Sequence, residues 1–160
     1  MTLRIGDRIP AATLAVMGEA GPQSITSTEL LEGKRVVLFG LPGAFTPTCS
    51  ARHLPGYLEL ADKIRAKGVD AIVCLAVNDV FVMDAWGKQQ AVGDTILMVA
   101  DGNADFTRAA GLDLDMTPRG FGLRSQRYAM VVDDGVVRAL NVDKPGEFLV
   151  SDAQTVLGLL

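Results

Sequence analysis

The segment that most constrains the fold is a short apolar run followed directly by a turn and a cysteine. Residues 35–40 read RVVLFG, and residues 42–49 read PGAFTPTC. A short, continuously apolar run bounded by Gly and Pro is typical of a buried strand. The Pro and Gly residues after it indicate a turn, and a helix then begins near Thr48. The pattern therefore predicts a central β-strand with a helix starting at its carboxyl end.

Cys49 falls in the first turn of that helix, and the hydroxyls of Thr46 and Thr48 are close to it in sequence. A helix N-terminus presents free N–H groups and about half a positive charge. A thiol there loses its proton more readily, and the thiolate is the reactive form of cysteine. We therefore interpret Cys49 as a nucleophile in a site that can hold an anion or a polar oxygen.

The remaining apolar runs alternate with helical patterns. The predicted elements are an edge strand at 13–17, a turn-rich segment at 18–24, a short helix ending at Leu31, the strand at 35–40, a helix at 48–67, a strand at 69–77, a helix ending near Gln90, a strand at 95–100, a helix at 103–110, a hairpin of 128–132 and 136–141, and a final helix ending at Leu160. Early strands alternate with helices and a hairpin comes late, which indicates a mixed α/β sheet with helices on both faces. Pro55 should kink the helix at 48–67, so the turn that holds Cys49 is weakly tied to the rest. The length of 160 residues suits one domain, residues 1–160.

Composition excludes several classes of protein. The net charge is −4 and no basic run exceeds two residues, so the basic stripe of a nucleic-acid-binding protein is absent. No apolar run reaches the roughly 18 residues of a membrane-spanning helix. Two cysteines, Cys49 and Cys74, do not make a disulfide scaffold. We therefore expect a cytoplasmic protein.

Cys74 and His53 leave alternatives open. Cys74 lies in the middle of an apolar strand pattern, which favours a buried structural residue over a second, resolving thiol. His53, the only histidine, follows Cys49 by four residues, and such a pair allows a cysteine hydrolase. The imidazole should lie beside the helix rather than in front of the thiol, so we prefer a supporting hydrogen-bonding role. The three side chains lack the spacing of metal ligands.

A thiolate also needs a cation nearby, and the sequence offers three candidates. Arg127 begins the strand at 128–132, and strand ends in an α/β sheet often reach the active site. Arg119 and Arg124 are equal candidates on sequence spacing alone.

Residues 37–50, VLFGLPGAFTPTCS, strongly resemble the peroxiredoxin active-site segment. The family pattern Pro-x-x-x-Thr/Ser-x-x-Cys is met by Pro42, Thr46 and Cys49. Four further segments are similar to the plant type II, peroxiredoxin-five-like branch: HLPGY at 53–57, LAVND at 75–79, FVM at 81–83 with Trp86, and RYAMVV at 127–132. The resemblance runs from about Ile5 to Leu160 and is therefore specific.

The resemblance implies a thioredoxin fold with the peroxiredoxin N-terminal extension, and a peroxidase that needs no metal or organic cofactor. The implied roles are a peroxidatic Cys49 that forms a sulfenic acid, Arg127 as its cationic partner, Pro42 as a shield, Thr46 as a hydrogen-bonding partner of peroxide and thiolate, the amides of Thr48 and Cys49 as holders of the second peroxide oxygen, and His53 and Phe45 as supporting residues. The expected substrates are hydrogen peroxide and alkyl hydroperoxides.

The expected reductant is an external thiol. Branch members with a second catalytic cysteine carry it in the loop before the last helix, where this chain reads FLVSD at 148–152. We therefore predict a one-cysteine cycle, with glutathione and glutaredoxin as the first candidate reductant and thioredoxin as the second. The resemblance favours a homodimer that packs through residues 42–45 and the region of Phe81. A redox-sensing interaction protein is the other alternative.

Overall fold

The computed structural model describes residues 1–160 and contains a seven-stranded sheet, a two-stranded sheet and five α-helices. The strands are β1 (Thr13–Gly18), β2 (Gly21–Thr26), β3 (Arg35–Leu41), β4 (Ala71–Ala76), β5 (Leu97–Ala100), β6 (Asp113–Asp115), β7 (Leu123–Ser125), β8 (Tyr128–Asp133) and β9 (Val136–Val142). The helices are α1 (Ser27–Leu31), α2 (Leu54–Arg65), α3 (Val80–Gln89), α4 (Asp105–Ala109) and α5 (Ala153–Leu157). None of them is long and apolar enough to cross a bilayer.

The large sheet is mixed and has the strand order β2-β1-β5-β4-β3-β8-β9. Strands β3, β4 and β5 are parallel, and the other neighbours pair antiparallel. This arrangement confirms the predicted mixed α/β sheet and the thioredoxin-like fold.

Helices cover both faces of the sheet, as the sequence predicted. Alternate residues of β3 point to opposite faces because the side-chain period of a strand is two. Val37 and Phe39 join one apolar core with α2, α3 and α5, while Val36 and Leu38 join a second core with α1 and α4. An interior strand buried on both faces must be apolar in its buried part, which explains the run VVLFGL at 36–41 after the half-buried Arg35.

The prediction for the N-terminal region was wrong in one respect. Residues 21–26 form β2, which pairs with β1 along its whole length, so β1 is an interior strand and β2 is the edge. Gly21 and Pro22 made this segment resemble a turn. Proline is tolerated on an edge strand because its missing N–H is not needed for pairing.

The helix predicted at 48–67 is divided into two parts. Cys49–His53 forms a π-helical turn in which the Leu54 amide donates to the Cys49 carbonyl oxygen, and α2 follows. Pro55 is in the first turn of α2, where a backbone N–H is dispensable. A wide turn therefore replaces the expected kink. Single π-helical turns are frequent at functional sites.

The small two-stranded sheet was not predicted from the sequence. Strands β6 and β7 pair antiparallel and are connected through a 3₁₀ turn at Thr117–Arg119. Both strands have only three residues, too few for an alternating pattern to be recognised. The connection between them forms one wall of the groove beside Cys49.

Candidate active site

Cys49 lies just beyond the carboxyl end of β3, and its side chain is fully buried, with 0% exposure. The Ser50 amide donates to the Thr46 carbonyl oxygen at 2.9 Å, which is the first backbone hydrogen bond of the new helix. The amides of Thr48 and Cys49 precede it and donate to no protein acceptor. Two free donors therefore flank the sulfur.

Arg127 supplies the positive charge at the sulfur. It directly precedes β8, which runs antiparallel to β3 with Tyr128 opposite Gly40. This register brings Arg127 to the end of the sheet where Cys49 lies, and its Nη2 donates to Cys49 Sγ at 3.3 Å. Of the three arginines that the sequence left open, this is the one that contacts the thiol.

The other two arginines have different positions. Arg124 donates from Nε to the Phe121 carbonyl oxygen at 2.9 Å and from Nη1 to the Val77 carbonyl oxygen at 3.3 Å. Its guanidinium also packs beside Gly43, where a Cβ would come within 3.0 Å of Nη1. Arg124 therefore links β7 to the active-site loop. Arg119 is exposed on the wall of the groove.

His53 is buried and has both ring nitrogens engaged. Its Nδ1 accepts from Arg127 Nη1 at 2.9 Å, because a guanidinium can only donate. Its Nε2 therefore carries the proton and donates to the Ser151 carbonyl oxygen at 3.1 Å. Burial, followed by the charge of Arg127, lowers the pKa of His53 to about 3. The imidazole is neutral, and neither nitrogen faces Cys49, so the Cys–His pair of a hydrolase is not formed.

Residues 42–46 form a constrained loop at the mouth of the site. The Ala44 amide donates to Asn78 Oδ1 at 2.9 Å, and the Thr46 hydroxyl donates to the Gly43 carbonyl oxygen at 2.7 Å. Phe45 adopts a left-handed backbone with φ of 63°, a conformation that costs about 1–3 kcal/mol in a non-glycine residue. The Thr46 proton thus goes to the backbone rather than to the sulfur, and the oxygen lone pairs remain free to accept.

The C-terminal loop closes the site from the other side. Burial alone would raise the pKa of Asp143, but hydrogen bonds from the Ser151 hydroxyl and from the amides of Leu149, Val150 and Ser151 hold it below the ordinary value. The loop so fixed places the Phe148 ring 5.0 Å from the His53 ring and 5.7 Å from the Arg127 guanidinium carbon. Neither Asp143 nor Phe148 belongs to a local motif, so no sequence pattern predicted a role for either residue.

Cys74 is in the middle of β4, opposite Phe39 on one neighbouring strand and Met98 on the other. It is fully buried, and burial raises the pKa of its thiol well above the ordinary value. A protonated, inaccessible thiol is unreactive.

Comparison with known proteins agrees with this geometry. The redoxin family model matches residues 4–157. Peroxiredoxin-2E-2 of Oryza sativa, a chloroplastic protein, is 48% identical over 99% of this chain and 73% of its own. Peroxiredoxin-2B of Arabidopsis thaliana is 45% identical over 99% and 98%.

A solved structure of reduced Prx3 from Vibrio vulnificus in complex with hydrogen peroxide superposes with a TM-score of 0.95, at 52% identity over 99% of both chains. The matched region contains the whole sheet and every residue of the site. The chain therefore belongs to the redoxin family and is a peroxiredoxin, a thiol-dependent peroxidase related to the plant type II branch.

Proposed function

We propose that the protein reduces hydrogen peroxide and alkyl hydroperoxides at Cys49 through a cysteine sulfenic acid. The observation that carries the proposal is the Arg127 Nη2 atom 3.3 Å from Cys49 Sγ, next to two unpaired backbone amides. A cation and free donors around one sulfur suit a thiolate that attacks an oxygen atom.

The chemical step follows from this arrangement. The thiolate attacks one peroxide oxygen, the O–O bond breaks, and the leaving oxygen takes a proton to become water or an alcohol. Arg127 and the amides of Thr48 and Cys49 stabilise the charge that develops on the two oxygens. The free lone pairs of Thr46 accept the peroxide O–H, and Pro42, which lines the groove beside Thr46, would shield the reacting atoms from bulk water. The sulfenic acid is the first, reversible oxidation state of cysteine.

We further propose that an external thiol completes the cycle. Cys74 is buried in the sheet. Residue 151, in the loop before the last helix, is a serine rather than a cysteine, and its hydroxyl donates a hydrogen bond to Asp143. An incoming thiolate attacks the sulfenic sulfur, water leaves, and a second thiol releases the mixed disulfide. Glutathione with glutaredoxin is the first candidate donor and thioredoxin the second.

A mass spectrum distinguishes this cycle from an internal disulfide. After one equivalent of peroxide without added thiol, the chain should gain the mass of one oxygen atom. A loss of two hydrogens within one chain would indicate a Cys49–Cys74 disulfide and contradict the one-cysteine cycle. Steady-state peroxide consumption with each purified reductant system then identifies the donor. Failure with every thiol would favour a redox sensor.

The incoming thiol also needs access, because Cys49 is fully buried. We propose that the π-helical turn unwinds after oxidation, since Pro55, in the first turn of α2, has no backbone N–H to donate to that turn. Trp86, the only tryptophan, reports on this because its Nε1 donates to Ser50 Oγ at 3.0 Å. Trp86 emission should change as the sulfenic acid forms, and by much less in Ser50→Ala. Constant emission in wild type during thiol loss would contradict unwinding.

A homodimer is part of the proposal. Phe45 is 51% exposed and Phe81 is 63% exposed, and both lie on the side of the molecule where α3 approaches the active-site loop. Exposed aromatic residues are characteristic of protein interfaces.

A further inference from the structure

A groove of about 660 Å³ leads away from Cys49. Pro42, Thr46 and Arg127 form its inner end, beside the sulfur. The lining of the rest, which we call the outer groove, includes Asp115, Met116, Arg119, Phe121, Lys144 and Glu147. Pockets for small ligands commonly measure about 300–1,000 Å³. Hydrogen peroxide has two heavy atoms and fills only the inner end, so the outer groove can hold a much larger molecule.

The outer groove presents four charged side chains that form no ion pair. Asp115, Arg119, Lys144 and Glu147 are all exposed, and the one ion pair in the protein joins Lys88 to Asp84, elsewhere. Asp115 Oδ1 accepts hydrogen bonds from the Thr117 amide, at 2.9 Å, and from the Thr117 hydroxyl, which leaves Oδ2 free. Two cations and two anions therefore remain available to a ligand.

This lining suits one kind of molecule among those that the reaction uses. An alkyl hydroperoxide carries no charge and gains nothing from four ionic groups. A thiol peptide with two carboxylates and one ammonium group matches two cations and an anion at once. Met116 and Phe121 provide apolar surface for its backbone and methylene groups.

We propose that the outer groove binds the reducing thiol as a small zwitterionic peptide, with Arg119 and Lys144 receiving its carboxylates and Asp115 or Glu147 its ammonium group. This inference rests on the external-thiol cycle proposed above. The bound thiolate attacks Cys49 Sγ, the S–O bond breaks, and the leaving hydroxide takes a proton to form water. A second thiol then reduces the mixed disulfide, so two thiols supply the two electrons.

A single-turnover experiment tests the proposal. The protein is oxidised with one equivalent of peroxide and mixed with glutathione or with uncharged 2-mercaptoethanol, and sulfenic acid loss is followed by quenched mass spectrometry. The ratio of the glutathione rate to the 2-mercaptoethanol rate should fall about tenfold in the double variant R119Q/K144Q. Lys63→Gln and Arg138→Gln, exposed positions outside the groove, should leave the ratio unchanged. An unchanged ratio in the double variant overturns the proposal.

A binding measurement separates this inference from the proposed reductant. S-methylglutathione, which cannot react, is titrated into reduced protein and followed by NMR. Chemical-shift changes at outer-groove residues of the wild type that are absent in the double variant support the site. This holds even if glutathione fails to reduce the wild-type sulfenic acid, because that result would overturn only the proposed glutathione-dependent cycle. Absence of binding to wild type, or equal binding to the double variant, overturns the site.

Discussion

The Arg127 guanidinium donates hydrogen bonds to two acceptors. Nη2 donates to Cys49 Sγ at 3.3 Å and Nη1 to His53 Nδ1 at 2.9 Å. Because the guanidinium is planar and rigid, the bond to His53 orients the one to the sulfur. His53 can accept only while it is neutral, and its burial keeps it so.

Arg127→Lys should lower the second-order rate constant for hydrogen peroxide by about 10²–10³. Lysine keeps the charge but has a single nitrogen, which cannot serve both acceptors in a fixed plane. Stopped-flow measurement of thiol loss provides the value, and Arg138→Lys, an exposed position on β9, is the matched control. A rate for Arg127→Lys within a factor of about three of wild type would contradict this role.

His53 should make stability depend on pH. Its folded pKa of about 3 is below the ordinary value of 6.5, so the unfolded chain binds the proton first as the pH falls. The stabilisation is complete above pH 6.5 and is lost progressively towards pH 3. At pH 5, which is about 1.5 pH units below 6.5, the loss is about 2 kcal/mol, because each pH unit corresponds to about 1.4 kcal/mol.

Denaturant unfolding at pH 7 and pH 5 measures this loss. His53→Gln, which does not titrate, should lose about 2 kcal/mol less than wild type between the two pH values, whatever its absolute stability. Asp143 does not interfere, because a carboxyl with a lowered pKa loses its contribution only below about pH 4. Equal losses in both proteins would show that His53 is not held neutral.

At the scale of elements, β3 must accommodate a large ring from its neighbour β8. Gly40 is paired with Tyr128, whose side chain is fully buried and crosses the space that a Cβ at residue 40 would occupy. The Tyr128 hydroxyl has no hydrogen-bond partner. The glycine that ends the apolar run is therefore required by packing in the strand that leads to the active site.

Gly40→Ala should destabilise the protein by about 1–3 kcal/mol, since the new methyl group overlaps the Tyr128 ring in a close-packed core. Gly56→Ala in α2 is the matched control, because its Cβ would meet only Ala153 Cβ at 3.9 Å. That change should be neutral or stabilise by up to about 1 kcal/mol through helix propensity. Equal free energies of unfolding for the two variants would refute the packing argument.

At the scale of the whole molecule, Phe81→Glu should shift a dimer to monomer, because the charge would be buried at the interface. Light scattering after size exclusion gives the mass, and Leu159→Glu, at an exposed position with 49% accessibility, is the control. A monomeric wild type at high concentration would contradict the homodimer. A dimer that persists in Phe81→Glu would show that the interface lies elsewhere.

The sequence predicted much of this fold because the signals are local. The apolar run at 35–40 identified an interior strand, and Pro42 with the helix start pointed to Cys49, the proposed nucleophile. Each of these patterns depends on residues only a few positions apart, and their geometry follows from backbone sterics and helix-end electrostatics. The edge strand β2 was not predicted because Gly21 and Pro22 are residues typical of a turn.

The rest of the site depends on residues far apart in the chain. Arg127 meets Cys49 across a separation of 78 residues, and His53 across 74. Which of three arginines reaches the sulfur is decided by the pairing of β8 with β3, and the groove walls come together only when β6–β7 and the Asp143 loop pack on the same end of the sheet. The sequence alone determined the position of Cys49, the proposed nucleophile, at a helix start, whereas only tertiary structure decided which side chains surround it, because strand order and register set long-range distances.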